Sequence, residues 1–140
     1  MKNILLSIKN KYVEAILKGN KVYEFRGWIW KEDVTFVYIY SSGKIKKIIA
    51  RFKVNEILKE KPIKIWELCH NKSGVTQNEY FKYINTFGYE TIYAIKIDSL
   101  QILNNGQYID LHKIKIKNAP QKFKYLTDIE NDVLERLFNE

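Results

Sequence analysis

Apolar residues along this chain come in short runs, each bounded by a glycine, a proline or a polar residue suited to capping. Residues 2–8 (KNILLSI) are apolar and β-branched enough to predict a strand. Asn10 stands where a helix cap is expected, before Val13, Ile16 and Leu17 on one helical stripe, and Gly19 ends that helix in the left-handed region. Residues 21–28 (KVYEFRGW), 34–41 (VTFVYIYS) and 45–54 (IKKIIARFKV) predict three more strands, with Ser42 and Gly43 as a turn between the last two. Pro62 opens a helix running to about His70. Thr76 and Glu79 form a capping box for a second helix over 77–85, closed by a turn at Gly88. Residues 91–97 (TIYAIKI) predict a strand, and Asn104-Asn105-Gly106 between apolar runs predicts a hairpin within 100–111. After a break at Pro120, Thr127 with Glu130 opens a last helix over about 127–138, with Val133, Leu134, Leu137 and Phe138 on one stripe.

Strands grouped near the start, middle and end, with helices inserted between them, lack the alternation of a doubly wound parallel sheet. They predict an α+β fold: a small antiparallel β-barrel flanked by short α-helices, with a groove where helix and sheet diverge. The 140 residues have no long Pro, Gly or Ser tract at which to divide, so residues 1–140 are read as a single domain. With 46% apolar residues, ten Tyr, seven Phe and three Trp, the chain can bury a core without staples. Cys69 stands alone, which rules out an internal disulfide and a cysteine-based zinc site. His70 and His112 are far apart in sequence, so neither a metal nor another cofactor is expected. The N-terminal apolar run is too short for a secretory signal or a membrane span, and the expectation is a cytoplasmic protein that does not engage membranes.

Charge changes the picture. The net charge is +8, yet from Thr127 onward five acidic residues face only Arg136, leaving about +12 on the body of the chain. A field of this sign attracts polyanions and makes their binding sensitive to salt. Against that, only three of the 24 cations are Arg, and a Lys excess is also an ordinary solvated surface.

The candidate chemistry lies in Gly19-Asn20-Lys21-Val22-Tyr23-Glu24-Phe25-Arg26. Alternation along a strand puts Glu24 and Arg26 on one side and Tyr23 and Phe25 on the other, with Lys21 at the bend before them. A lysine, a carboxylate and a guanidinium then converge at one helix–strand junction, and the planar fork of Arg26 suits phosphate or a base edge. Spacing alone equally describes a surface ion pair between Glu24 and Arg26.

The pattern GxKxxExR in this segment, the opening LLSIKNKYVEAILKG, and the downstream VYIYSS, YAIKI and APQKFKYL resemble the ASCH family of the PUA-like superfamily. The resemblance covers nearly the whole chain and is strongest over residues 4–50. It implies a PUA-like barrel with a cleft beside the first helix and a role connected with RNA, in RNA metabolism or the regulation of transcription or translation. Carried over by position, the cleft residues are Lys21, Glu24 and Arg26, with Ser7 and Lys9 from the first strand. Tyr40, Ser41 and Ser42 at the end of the third strand are added to them. In this division of labour Lys21 and Arg26 engage phosphate, Glu24 accepts from a base amino group, and Tyr40 offers a stacking face.

One branch of the superfamily hydrolyses acetylated cytidine with a Lys, Thr and Glu set. Its Lys corresponds to Lys21, but its Thr falls at Glu24 and its Glu close to Ser73, so that mechanism does not transfer. Nuclease activity also occurs in the wider family. Two readings therefore stand: a module binding RNA or a nucleotide, with DNA as a further option, and a hydrolase acting on a modified nucleoside or RNA with Lys21 and Glu24 as its catalytic pair. A third makes the acidic C-terminal helix a contact for a protein partner of unknown kind, although its apolar stripe reads more simply as core. Trp28, Trp30, Trp66 and Cys69 read as core rather than site. Lys44, Lys46, Lys47 and Arg51 read either as a phosphate track or as a strand edge guarded by lysines.

Overall fold

The computed structural model describes residues 2–139, so Glu140, counted above in the acidic C-terminal charge, lies outside them. The chain runs β1 (Lys2–Lys9), α1 (Asn10–Leu17), β2 (Tyr23–Arg26), β3 (Val34–Ser42), β4 (Lys47–Lys53), β5 (Ile57–Glu60), α2 (Pro62–Cys69), α3 (Gln77–Phe87), β6 (Ile92–Lys96), β7 (Asp98–Ile102), β8 (Phe123–Tyr125) and α4 (Asp128–Phe138), with short 3-10 turns between some of them. This is an α+β fold of two sheets, one ordered β7-β4-β3-β1-β8 and the other β2-β6-β5.

Hydrophobic alternation sets three cores. Ile4, Leu6 and Ile8 of β1 join Val37 and Ile39 of β3, Val13 and Ile16 of α1, and Ile95 of β6 in a cluster that both sheets share. On the opposite face of the five-stranded sheet, Leu5, Tyr38, Tyr40 and Ile48 pack beneath Leu134 and Phe138 of α4. Phe25 and Ala94, on the other face of the small sheet, pack against Ile65 and Cys69 of α2 and Tyr80 and Ile84 of α3. Cys69 is thus a buried apolar residue, and burial raises its thiol pKa to about 11. The stripe of α4 is core, as its spacing predicts.

Several expectations change. The larger sheet is mixed, because β1 and β3 pair in parallel while their other neighbours run antiparallel. That pairing follows from the crossover through α1 and the small-sheet strand β2. Asn10 is the first helical residue and not the cap: Lys9 holds the cap position without a side-chain bond, and Asn10 Oδ1 accepts from the Ser41 hydroxyl at 2.8 Å. Asn104-Asn105-Gly106 makes no hairpin. Ile102 and Ile109 both lie along β4, opposite Ala50 and Ile48, and the residues between them loop out of one continuous ladder. The strands β5 and β8, neither anticipated, complete the sheets at their edges.

Nor is there a basic track along β4. Arg51 is buried, its Nη1 donating to Glu135 of α4 at 2.7 Å and to Tyr38 Oη at 3.1 Å, and its Nε to Gln101 at 3.0 Å. Alternation along the strand turns Arg51 inward while Lys44 and Lys46 stay exposed in the preceding turn. Among the described residues no helix is long and apolar enough to cross a membrane, and no group of three or more His, Cys, Asp and Glu side chains could hold a metal ion.

Candidate functional site

The short strand β2 positions the charged residues. In the β2–β6 ladder Glu24 stands opposite Ile95 and Phe25 opposite Ala94, so Glu24 faces the space between the sheets and Phe25 faces α2 and α3. Glu24 and Arg26 therefore turn toward β1 on the same side, as period-two alternation requires.

Glu24 is shared between two cations. Its Oε2 accepts from Arg26 Nη2 at 2.7 Å, and its Oε1 lies 3.4 Å from Lys21 Nζ. Lys21 also donates to the Ser73 carbonyl at 2.7 Å, and Arg26 Nη2 to the Ser7 carbonyl at 3.1 Å. The side chains of Lys21 and Glu24 are 1% and 6% exposed, and that of Arg26 is 17% exposed. Burial lowers the Lys21 pKa, with the carboxylate of Glu24 opposing it in part. Burial also acts to raise the pKa of Glu24, but Arg26 and Lys21 outweigh it and hold the carboxyl below its ordinary value. Close approach of the segment after α2 depends on Gly74: at φ +67° it takes a conformation that favours glycine, and a Cβ there would meet Lys21 Cβ at 2.7 Å.

These groups form the floor at one end of a cleft of about 680 Å³. Its walls come from the end of β1, from Tyr12 of α1, from the half-buried Glu79 and Tyr83 and the exposed Lys82, Thr86 and Phe87 of α3, and from Ala119, Pro120 and Gln121. Two clasps hold α3 in place. Glu79 Oε2 accepts from both Lys11 Nζ and the Tyr12 hydroxyl of α1, while its Oε1 completes the capping box at Thr76. Tyr83 Oη accepts from the backbone N–H of Gly27 at 3.0 Å, immediately after Arg26. The ion pair with Lys11 and the capping bond lower the Glu79 pKa to about 2, and burial with the Glu79 contact raises that of Tyr12 to about 12.

Of the residues singled out in the sequence, Ser7, Lys9, Lys21, Glu24, Arg26 and Ser42 line this cleft. Ser7 turns its hydroxyl to the Pro120 carbonyl at 2.6 Å, and Ser42 turns its own to the Ile8 carbonyl at 3.2 Å. Tyr40 and Ser41 do not line it. Alternation along β3 sends Tyr40 with Tyr38 into the core beneath α4, and Ser41 is fully buried against Asn10. Glu24, drawn in both directions by cations, is a scaffold for Arg26 more than an open acceptor. Sequence reasoning missed Tyr12 and the whole α3 wall, although Glu79, Tyr83, Thr86 and Phe87 recur at helical spacing beside the buried Tyr80 and Ile84. That mixed polar and aromatic stripe was the available signal.

Fold and cleft together define a small α+β domain in which a buried carboxylate holds two cations at the base of an aromatic-walled groove. The chain belongs to the ASCH domain family, whose model matches residues 6–101. Among solved structures it is similar to the ASCH protein from Zymomonas mobilis, with 22% identity and a TM-score of 0.86 over 97% of this chain and 95% of that one. A mutant of that protein carrying a tyrosine-to-phenylalanine change gives the same TM-score of 0.86 at 21% identity, over 98% of this chain and 99% of that one. At such identities the likeness speaks for the fold. No curated protein matches the chain.

Proposed function

We propose that the cleft binds RNA or a nucleotide, with Arg26 as its phosphate contact. The observation that carries this reading is the state of Arg26. Both protons of its Nη2 are committed, to Glu24 and to the Ser7 carbonyl, whereas Nη1 and Nε have no protein acceptor among the described residues. A guanidinium anchored through one nitrogen, with N–H donors left on Nη1 and Nε, is held in advance for charge-assisted bonds to phosphate oxygens. Lys9 and Lys82, both exposed, add cationic charge to the cleft rim. The cleft volume lies within the range of about 300–1,000 Å³ typical of small-ligand sites. In this reading the two sheets serve as the PUA-like barrel on which the cleft is built.

Hydrolysis has less support. Lys21 and Glu24 are spent on each other, and position 73, where a catalytic carboxylate would be needed, offers Lys21 only a backbone carbonyl.

The test is binding of short single-stranded RNA, with matched DNA beside it, at low and raised salt. The wild-type protein is expected to bind RNA with an affinity that falls as salt rises, and Arg26→Ala to bind more weakly with a shallower salt slope, by about 0.7 for one lost phosphate contact on a single strand. Undiminished binding by Arg26→Ala removes the residue from the site. Cleavage of the RNA by wild-type protein, absent in folded Glu24→Gln, moves the assignment to the hydrolase.

A further inference from the structure

Phe87 is the largest exposed aromatic group in the cleft wall. It is 62% exposed at the end of α3, where an apolar ring contributes little to the core. Its position is nonetheless fixed. One face stacks on Tyr89, with centroids 5.5 Å apart and planes 23° from parallel, and Tyr83 meets it edge-on at 5.5 Å. Tyr83 and Tyr89 are themselves 5.3 Å apart, and both are seated against Gly27. The Tyr83 hydroxyl takes the Gly27 N–H, and the Tyr89 ring lies so close that a Cβ on Gly27 would sit 2.3 Å from it. Any side chain at position 27 would push Tyr89 away. A chain of contacts thus runs from Arg26 through Gly27, Tyr83 and Tyr89 to Phe87, and it places an aromatic face, backed on one side and open on the other, in the same cleft as the uncommitted donors of Arg26.

We infer that Phe87 is a stacking platform for an unpaired nucleobase, and that the cleft therefore takes single-stranded RNA or a nucleotide with a free base rather than a duplex. This rests on the reading of the cleft as a nucleotide site and specifies its ligand. Base stacking needs a rigid, solvent-facing ring beside a phosphate contact, and every base has a π-face, so the platform is tolerant of sequence. In a duplex both faces of each base are already covered by neighbouring pairs, so a ring at the cleft mouth has nothing to stack on.

The experiment compares three probes on the intact chain, a short single-stranded RNA, the duplex made by annealing its complement, and an abasic strand of the same length, with the single strand also titrated at several salt concentrations. Phe87→Ala is expected to weaken single-strand binding about 5- to 150-fold, the range for loss of one base–aromatic stack. Its salt slope and its affinity for the abasic strand stay those of wild type, because stacking releases no counterions. Phe87→Trp restores binding. Since the ring is mostly exposed, neither variant disturbs the core. Equal affinity of wild type and Phe87→Ala for the single strand overturns the platform, as does a duplex bound as tightly as the single strand. If Arg26→Ala weakens binding and Phe87→Ala does not, the nucleotide cleft stands without the platform. If neither variant changes binding, both readings fall.

Discussion

Glu24 Oε2 and Arg26 Nη2 lie 2.7 Å apart on the inward side of β2, two residues apart along the strand, and the same Nη2 reaches the Ser7 carbonyl of β1. One nitrogen thereby ties the small sheet to the end of the larger one and leaves Nη1 and Nε without a protein acceptor among the described residues, with the guanidinium carbon 5.1 Å from the centre of the Trp28 ring. The arrangement requires a planar group with several donors at fixed angles, which an ammonium cannot reproduce.

Arg26→Lys should accordingly fail as a conservative change. A lysine that satisfies Glu24 has no further donors held at fixed angles, so RNA affinity at low salt is expected to fall about tenfold or more, corresponding to about 1.5 kcal/mol or more for a charge-assisted hydrogen bond. Fluorescence anisotropy titration measures this directly. An affinity within twofold of wild type would show that only charge matters at this position.

Removing the buried carboxylate should be costly to the fold. Glu24→Gln leaves Lys21 as a buried cation with no carboxylate beside it, only the Ser73 carbonyl, the neutral amide and the Tyr12 and Phe25 rings, and the expected loss is about 3–5 kcal/mol. Adding Lys21→Met should recover part of that loss, because the more deeply buried of the two cations is then gone, while Arg26, 17% exposed, keeps the Ser7 carbonyl. Urea unfolding midpoints at neutral pH measure both changes. A single variant as stable as wild type would mean that water reaches Lys21 in solution.

Acid should loosen the clasp between α1 and α3. The folded pKa of Glu79, about 2, lies below its ordinary value of 4.5, so the unfolded chain binds more protons between those values. The contribution of Glu79 to stability is fully present above about pH 4.5 and is lost as pH falls toward about 2. Glu24, Glu130 and Glu135 are shifted in the same direction, so the difference between wild type and Glu79→Gln isolates this one group. The two stability curves should be separated above pH 4.5 and converge near pH 2; parallel curves throughout would contradict the clasp.

The C-terminal helix depends on a partner far back in sequence. Glu135→Ala removes the carboxylate from buried Arg51 and leaves it Tyr38 and Gln101. Because Glu135 itself is half-exposed, solvent screening reduces the usual worth of a hydrogen bond to a charged group, and the expected loss is about 1–2 kcal/mol. Hydrogen exchange of the α4 amides should accelerate more than that of β1. Unchanged exchange in α4 would mean that its apolar stripe alone holds it down.

The capping boxes at Thr76 and Thr127, the helix stops at Gly19 and Gly88, and most strand cores were legible because each is encoded within a few residues. Phe123–Tyr125 went unread as a strand for the opposite reason. Three residues carry too little periodicity, and β8 exists only because the edge of β1 lies open to it. The loop at Asn104–Gly106 has the composition of a hairpin, yet β4 is long enough to pair with both of its flanks, and that ladder decided the outcome.

By itself, the sequence determined that Glu24 and Arg26 share one side of a strand with Lys21 at the bend before it, since strand period and glycine placement are local properties. It also determined the excess of cationic charge on the body of the domain. Only the tertiary structure decided which cations stay free. Lys21 is covered by a residue 52 positions away and Arg51 by one 84 positions away, while Arg26 keeps donors to spare. Burial and pairing depend on which distant segments arrive at a site, and no window of neighbouring residues contains that information.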